Sequence, residues 1–368
     1  MNIKFIKKEL IEGLALIQKF CAKQSHLVTL QGVCLKAEEN GLTLLATNLE
    51  LGAEIYLAGQ VSDYKELRVI VDGKILLEAL KYFNGDVIEI NFNEQKLTAK
   101  SAEQELELAL SGAEDFPDLP KDSGEEIKIS LNNLKNGLDK TSFCVNRSNL
   151  RPELAGVYFE VEGNDLYLAA SDSFRLAQQI VKLEEIISKK LTGLLPVRLA
   201  QEIQNLSLVV EKELKIFLTE HQIGLVWSGG RIISRLLEGQ FPAYKNILPN
   251  KFNLTVTAPK IELLQAVQGA AAIATGPLQE VKLKINPSGG LINLDSHYQQ
   301  SNHKATIHCS GEGEEITVSL NIKYLSEGLA RIPEEQITIN GNSALQPILI
   351  TGGEENKNNF YLLMPLQS

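Results

Sequence analysis

His297, His303, His308 and Cys309 fall close together in the last third of the chain. Imidazole and thiolate are the ligands zinc prefers. The spacing argues against a shared ion, because His303 and His308 are an odd number of residues apart and point to opposite faces of a regular strand. No metal site and no cofactor are expected. The carboxylate pairs Glu38-Glu39, Glu125-Glu126 and Glu354-Glu355 could serve acid-base chemistry, but each lies in a polar Gly- or Asn-containing stretch and reads as a solvated turn. The sequence has no Gly-x-x-x-x-Gly-Lys-Ser/Thr phosphate loop, no Gly-x-Gly-x-x-Gly after a strand, no Gly-x-Ser-x-Gly elbow and no His-Glu-x-x-His. A non-enzymatic protein is expected. Asn146-Arg147-Ser148 has the spacing of a glycosylation acceptor and is read as an accident, since no secretory leader is expected.

Composition sets the frame for whatever elements position these residues. A chain of 368 residues, 44% hydrophobic and 22% charged, can bury more than one core. Against 36 Lys plus Arg stand 46 Asp plus Glu, a net charge of -10, the wrong sign for a protein that grips phosphate by overall charge. Much of that charge is local: residues 112–126 hold Glu114, Asp115, Asp118, Asp122, Glu125 and Glu126 against Lys121. At the N-terminus Glu9, Glu12 and Gly13 interrupt any apolar run after Lys7 and Lys8, so no secretory leader is read. No apolar stretch is long enough for a bilayer; Ala266 to Ala274 is short and Ala-rich. Cys21, Cys34, Cys144 and Cys309 form no Cys-x-x-Cys pair, which suits reduced thiols in a cytoplasmic protein.

Periodicity is the strongest signal. Leu10, Leu14, Ile17 and Cys21 form a helical stripe that returns at Leu134, Leu138, Thr141 and Val145, and again at Leu263, Val267, Ala270 and Ala274. A second stripe occurs at Leu76, Leu80 and Phe83, then at Leu199, Ile203 and Leu206, then at Leu325, Leu329 and Ile332. Turn-bounded strand patterns follow the first stripe at 41–46, 164–169 and 289–294, and the second at 86–92, 213–218 and 336–339. The predicted architecture is therefore α+β, a threefold repeat of helix, strands, helix, strands, with domains at 1–124, 125–250 and 251–368. Phe116-Pro117-Asp118-Leu119-Pro120 and Phe241-Pro242-Ala243-Tyr244 stand at equivalent places near the ends of the first two units and suit fixed linkers.

With this repeat in view, four motifs carry a resemblance to a known family. Arg151-Pro152-Glu153-Leu154-Ala155-Gly156-Val157 is similar to Arg-Pro-x-Leu-x-Gly-Val, and Ala170-Ser171-Asp172-Ser173-Phe174-Arg175-Leu176-Ala177 to Ala-Thr-Asp-Gly-His-Arg-Leu-Ala. Residues Gly239 to Pro249 resemble Gly-x-Phe-Pro-Asp-Tyr-x-x-Val-Ile-Pro, and Tyr361 to Leu366 resemble Tyr-Val-Val-Met-Pro-Met. The chain resembles the bacterial β sliding clamps, the processivity subunits of the replicative DNA polymerase. The resemblance implies three DNA-clamp domains, each two helices on antiparallel sheets. It also implies a head-to-tail homodimeric ring of pseudo-sixfold symmetry that encircles duplex DNA without reading its sequence. The alternative is a peptide-binding scaffold that does not encircle DNA.

The resemblance also implies site residues. Cations in or beside the helices would face DNA: Lys7, Lys8, Lys19, Lys23, Lys74, Lys81, Lys135, Lys140, Arg147, Arg151, Arg198, Lys323 and Arg331. Linear segments of polymerase, clamp loader and repair proteins would enter an apolar pocket of Leu154, Ser171, Ser173, Phe174, Arg175, Leu176, Pro242, Ile247, Pro347, Leu362, Met364, Pro365 and Leu366. There Arg175 would anchor a peptide carbonyl or carboxylate. Leu106, Leu108 and Ile273 are the expected dimer contacts, and no membrane partner is implied. Three departures stand out. Ser173-Phe174 replaces Gly-His, the tail ends Leu366-Gln367-Ser368 instead of Met-Arg-Leu, and Thr29-Leu30-Gln31-Gly32-Val33 stands where Thr-Leu-Pro-Ile-Leu is usual. The first two imply a shifted peptide preference, and the third implies different DNA contacts in that loop.

Overall fold

The structure, a computed structural model, describes residues 1–148, 150–206, 213–249, 251–274, 279–353 and 358–366. The first repeat begins β1 (Asn2–Ile6), α1 (Lys7–Ile17), β2 (Val33–Glu38), β3 (Gly41–Thr47), β4 (Leu51–Ala58). It continues β5 (Gln60–Ser62), β6 (Arg68–Val71), α2 (Gly73–Lys81), β7 (Val87–Phe92), β8 (Lys96–Lys100), β9 (Glu105–Ala109) and β10 (Ser111–Gly112). The second runs β11 (Glu125–Ser130), α3 (Leu131–Asp139), β12 (Gly156–Ser171), β13 (Arg175–Pro196), α4 (Val197–Gln204), β14 (Glu213–Leu218), β15 (Gln222–Trp227) and β16 (Gly230–Arg235). The third begins β17 (Leu254–Pro259), α5 (Lys260–Ile273), β18 (Glu280–Asn286), β19 (Leu291–Tyr298), β20 (Ser301–His308) and β21 (Ser310–Gly313). It ends β22 (Ile316–Asn321), α6 (Ile322–Leu329), β23 (Gln336–Gly341), β24 (Ile348–Thr351) and β25 (Phe360–Leu363). No helix among the described residues is long and apolar enough to cross a membrane.

By compactness the chain divides into two units, residues 1–132 with 201–236, and 133–200 with 237–368. The first holds a five-stranded sheet, β5-β1-β7-β8-β9, and a nine-stranded sheet, β10-β6-β2-β3-β4-β16-β15-β14-β11. The second holds a seven-stranded sheet, β12-β13-β25-β24-β23-β17-β21, and a four-stranded sheet, β20-β19-β18-β22. All pairings are antiparallel. Strands of adjacent repeats share one sheet, through β4 against β16 in the first unit and β13 against β25 in the second. That sharing is why the division by compactness differs from the threefold division of the sequence.

The repeats are topologically equivalent in a way the stripes alone did not indicate. A strand precedes every first helix and pairs with the strand that follows the second: β1 with β7, β11 with β14, β17 with β23. Both helical stripes face cores, with Leu10, Leu14, Ile17, Leu76, Leu80, Leu263, Val267, Ala270, Leu325 and Leu329 all buried. The first two stripes outlast their α-helices by a turn. After α1 and α3 the chain tightens into 3₁₀ turns, Gln18–Phe20 and Ser142–Cys144, and Cys21 and Val145 are extended. Beside the second turn, the buried Thr141 hydroxyl donates to Gly137 O at 2.8 Å, a local bond that competes with helix propagation. α5 continues unbroken to Ile273.

Capping repeats as well. Asp72 and Asn321 accept from the backbone N–H of Ile75 and Tyr324, starting α2 and α6. At the other end of these helices, Lys7 Nζ donates to Phe83 O and Lys260 Nζ donates to Ile332 O at 2.7 Å, placing an ammonium where the helix dipole is negative. Leu131 opens α3 at the same place in the second repeat, which therefore lacks this contact.

In α6 a methyl group at Gly328 would lie 2.0 Å from Cε1 of the buried Tyr361, whose hydroxyl donates to Tyr324 O. Gly328→Ala is therefore expected to destabilise by about 1–3 kcal/mol through overpacking, although alanine is the better helix former by about 1 kcal/mol. Chemical denaturation checks this; a stabilised variant would contradict it.

Candidate functional site

The residues expected to line the pocket all lie in the second unit. β13 starts at Arg175, and its first residues pair with the last strand: Arg175 opposite Leu363, Leu176 opposite Leu362. Leu349 of β24 lies opposite Leu362 in turn, so Leu176, Leu362 and Leu349 form one row across the sheet. With Leu154, Ala169, Leu194, Phe241, Tyr244 and Phe360 they make one buried cluster, against which Tyr158, Leu237, Leu248 and Phe252 pack. Leu154, Leu176 and Leu362 are thus cluster residues, each 2% exposed.

Around this floor stand apolar groups left open to solvent. Phe174 and Ile247 are each 60% exposed and Met364 38%. Met364 N–H donates to Phe174 O at 2.8 Å, which carries the β13–β25 ladder past its last pair and sets these two side chains at one lip. Ile247 ends the 3₁₀ turn Tyr244–Ile247, whose Tyr244 lies in the cluster. Pro242 is exposed, and Pro347, Pro365 and Leu366 are half-buried. Leu366 N–H is fixed on Ser319 O at 2.8 Å.

The loop between β12 and β13 owes its shape to Asp172. Its Oδ1 accepts from the N–H of Phe174 and of Arg175, both at 3.0 Å, and its Oδ2 accepts from Arg175 Nε at 2.9 Å. The Ser171 hydroxyl donates to Arg175 O and accepts from Ser173 N–H. Ser173 stands at φ 79°, the left-handed region that favours the glycine the family carries there. Arg175 is 7% exposed, and its remaining nitrogens donate to Glu327 Oε2 and Phe143 O. Its guanidinium lies over the rings of Tyr324 and Phe143, 4.2 and 5.3 Å from their centroids. With every nitrogen engaged inside the unit, Arg175 is placed to hold the lip, not to reach a ligand as the sequence reading had it. Beside it, burial pushes the Cys144 thiol well above the ordinary thiol range.

The thirteen expected DNA-facing cations separate by environment. Lys8, Lys23, Lys74, Lys81, Arg147 and Lys323 are exposed, Lys8 4.0 Å from Glu12 and Lys81 2.7 Å from Glu78. Lys7 is the α2 cap described above. Lys19 lies 3.6 Å from Glu202. Lys135, Lys140 and Arg198 are half-buried, and burial lowers the Lys135 ammonium's pKa. Arg331 donates to Asp139 O and Glu327 O and stacks on Phe143, closing the C-terminal end of α3. Arg151 donates to Ser173 Oγ at 2.6 Å. Sequence reasoning had no means to separate cations spent on helix ends from those facing solvent, because both are lysines or arginines beside a helix.

The acidic junction is spent in the same way: Asp118 pairs with Arg68, Asp122 with Arg231 and Glu126 with Lys215. Glu38 accepts from Thr43 and pairs with Lys36, while Glu354-Glu355 and the Gln367-Ser368 tail lie outside the described residues. Thr29, Leu30 and Gln31 lie in the 3₁₀ turn Val28–Gln31, whose Leu30 is buried. Leu106 and Leu108 are half-buried on β9, an edge of the five-stranded sheet, and Ile273 is half-buried at the end of α5. On β20, an edge of the four-stranded sheet, His303 and His308 stand opposite Ser296 and Leu291. Among the described residues no three His, Cys, Asp or Glu gather as metal ligands.

Three antiparallel helix-and-sheet repeats, sheets shared between neighbours and an apolar lip beside the last strand define a clamp-type architecture. The models for the N-terminal, central and C-terminal domains of the DNA polymerase III beta subunit match residues 1–120, 128–243 and 245–367. The chain belongs to the DNA polymerase III beta subunit family, the β sliding clamps. The beta sliding clamp of Bacillus subtilis is 26% identical over 361 residues, 95% of each chain, and that of Staphylococcus epidermidis 25% identical over the same length. The solved B. subtilis clamp superposes with a TM-score of 0.93 at 24% identity, covering 100% of this chain and 99% of its own. A Pseudomonas aeruginosa sliding clamp bound to griselimycin gives 0.93 at 23%, covering all of both chains.

Replacing Arg175 by Leu removes the cation and leaves Asp172 and Glu327 facing an apolar side chain. A loss of about 3–5 kcal/mol in unfolding free energy is expected. A urea-denaturation difference below about 1 kcal/mol would show that the network carries little.

Proposed function

We infer that this chain is a DNA sliding clamp: two copies close head to tail into a ring around duplex DNA, and replicative polymerase, clamp loader and repair proteins dock on it through short linear segments. The observation that carries this reading is the threefold equivalence of the chain, with family matches running from residue 1 to residue 367. The domains are 1–124, 125–250 and 251–368. The edges left at β9 and β20 support the closure, since joining the five-stranded sheet of one copy to the four-stranded sheet of the next would give nine strands, as in the sheet the first two repeats share. Leu106, Leu108 and Ile273 would then be covered. The protein acts in the cytoplasm and performs no catalysis; its product is retention.

A closed ring cannot leave a duplex sideways, so it needs no strong phosphate grip and slides freely. Lys8, Lys23, Lys74, Lys81, Arg147 and Lys323 supply modest, mobile positive charge; Lys19, Lys135, Lys140 and Arg198 complete the DNA face. Lys7, Arg151 and Arg331 take part with part of their hydrogen-bonding capacity already spent. Partner peptides lay Leu and Phe side chains over the cluster of Leu154, Leu176 and Leu362. Phe174, Ile247, Met364 and Pro242 form walls, Pro347, Pro365 and Leu366 the far side, and Ser171, Ser173 and Arg175 hold the shape.

The exposed wall is the clean place to test docking, because Leu176 also belongs to the core. Ile247→Ala with Met364→Ala should weaken a fluorescein-labelled peptide carrying Leu and Phe by about tenfold or more, with melting temperature unchanged. Equal affinity for wild type and variant would place docking elsewhere.

A further inference from the structure

The loop before β4 repeats the backbone bonds of the loop before β13. Asn48 Oδ1 accepts from the N–H of Glu50 and of Leu51, as Asp172 Oδ1 does from Phe174 and Arg175. Thr47 Oγ1 donates to Leu51 O and accepts from Leu49 N–H, as the Ser171 hydroxyl does with Arg175 and Ser173. Leu49 stands at φ 74° where Ser173 stands at φ 79°, and Arg235 N–H donates to Glu50 O as Met364 N–H does to Phe174 O, both at 2.8 Å. The side chains on this shared frame differ. In the row across the sheet, Gly52, Ile233 and Gly224 take the places of Leu176, Leu362 and Leu349. Beside that sparser row lies a cavity of about 270 Å³, lined by Ile233 and Leu119 and walled by Pro117 and Pro120 of the linker. Leu49 also lines it and is 51% exposed, an aliphatic side chain kept in water on a left-handed backbone that glycine would adopt without strain.

We propose that this groove, where β4 meets β16, is a second docking site, which takes a short extended segment of a partner protein carrying an aliphatic residue next to lysine or arginine. The inference rests on the reading of the β13–β25 lip as a docking site, since the same loop frame presents both. Charge names the occupant. Glu50 stands in the place of Phe174 and Arg235 in that of Met364, so this rim is charged where the other is apolar. The linker beside it brings exposed Glu114, Asp115 and Asp118, and Asp118 keeps 90% of its side chain in solvent although it pairs with Arg68. Against these carboxylates Arg235 is the one cation lining the cavity. An incoming ammonium or guanidinium therefore gains a charge-assisted bond to Glu50 and meets an anionic surround. The aliphatic neighbour enters the cavity over Ile233 and Leu119 and covers Leu49. The two junctions thus select different segments.

The test measures affinity of the full chain for two fluorescein-labelled peptides, one carrying Leu and Lys, the other Leu and Phe, at about 0.15 M salt so that diffuse attraction to an acidic protein is screened. Leu49→Gly and Glu50→Lys should each weaken the Leu/Lys peptide by about tenfold and leave the Leu/Phe peptide unchanged. Leu49→Gly should keep its melting temperature, since glycine is at ease at this φ. Ile247→Ala with Met364→Ala should do the reverse, weakening only the Leu/Phe peptide. A counterpart with Glu in place of Lys should bind wild type about tenfold more weakly than the Leu/Lys peptide. Leu/Lys binding that is absent, or that survives Leu49→Gly, overturns the proposal while the Leu/Phe result leaves the β13–β25 lip standing. A Leu/Phe peptide indifferent to Ile247→Ala with Met364→Ala overturns the docking reading of that lip, and the proposal with it.

Discussion

A guanidinium taken out of water costs several kcal/mol unless its neighbours replace what water supplied, and the second unit is organised around meeting that demand for Arg175. Asp172, Glu327 and the carbonyl of Phe143 take its donors, while Tyr324 and Phe143 cover its faces. These partners come from the turn after α3, the loop before β13 and the helix α6, segments far apart in sequence. Satisfying one buried cation therefore fixes where β13 begins, and with it the register that sets Leu176 opposite Leu362 and Phe174 beside Met364. The apolar lip is a consequence of a polar constraint beneath it.

Charge works the same way through the molecule. A net charge of -10 argues against nucleic acid only if charge is spread evenly, and it is not. Carboxylates of the 112–126 segment pair with Arg68, Arg231 and Lys215, while exposed lysines recur on or near the helices. Other cations spend part of their hydrogen-bonding capacity on the backbone: Lys7 and Lys260 close α2 and α6, and Arg331 closes α3. What remains is too weak for tight phosphate binding, which suits a protein whose hold on DNA is topological.

Much of this was legible in the residues. Stripes such as Leu10, Leu14 and Ile17 marked all six α-helices of the described residues because a helix that buries one face must repeat apolar groups at 3.6-residue spacing. The strands before those helices were missed, although Ile3 and Phe5, Ile127 and Ile129, and Val256 and Ala258 alternate as half-buried strands must. Each is only five or six residues long and runs directly into a helix, so its two-residue period is masked by the stripe that follows. The four motif segments were picked out by resemblance; the β13–β25 pairing and the cluster of Leu154, Leu176, Tyr244 and Leu362 bring them together. The roles of Arg175, Arg331 and Lys7 were not readable, because whether a cation reaches solvent or a carbonyl is decided by neighbours brought in from distant sequence.

The central claim is that retention on DNA comes from encirclement. It is tested by loading the protein onto closed circular duplex, isolating the complex at moderate salt, and cutting the circle once with a restriction enzyme. Encirclement predicts stable retention on the circle and rapid loss after the single cut, as the ring slides off the new ends. Equal retention on circular and linear DNA would contradict it.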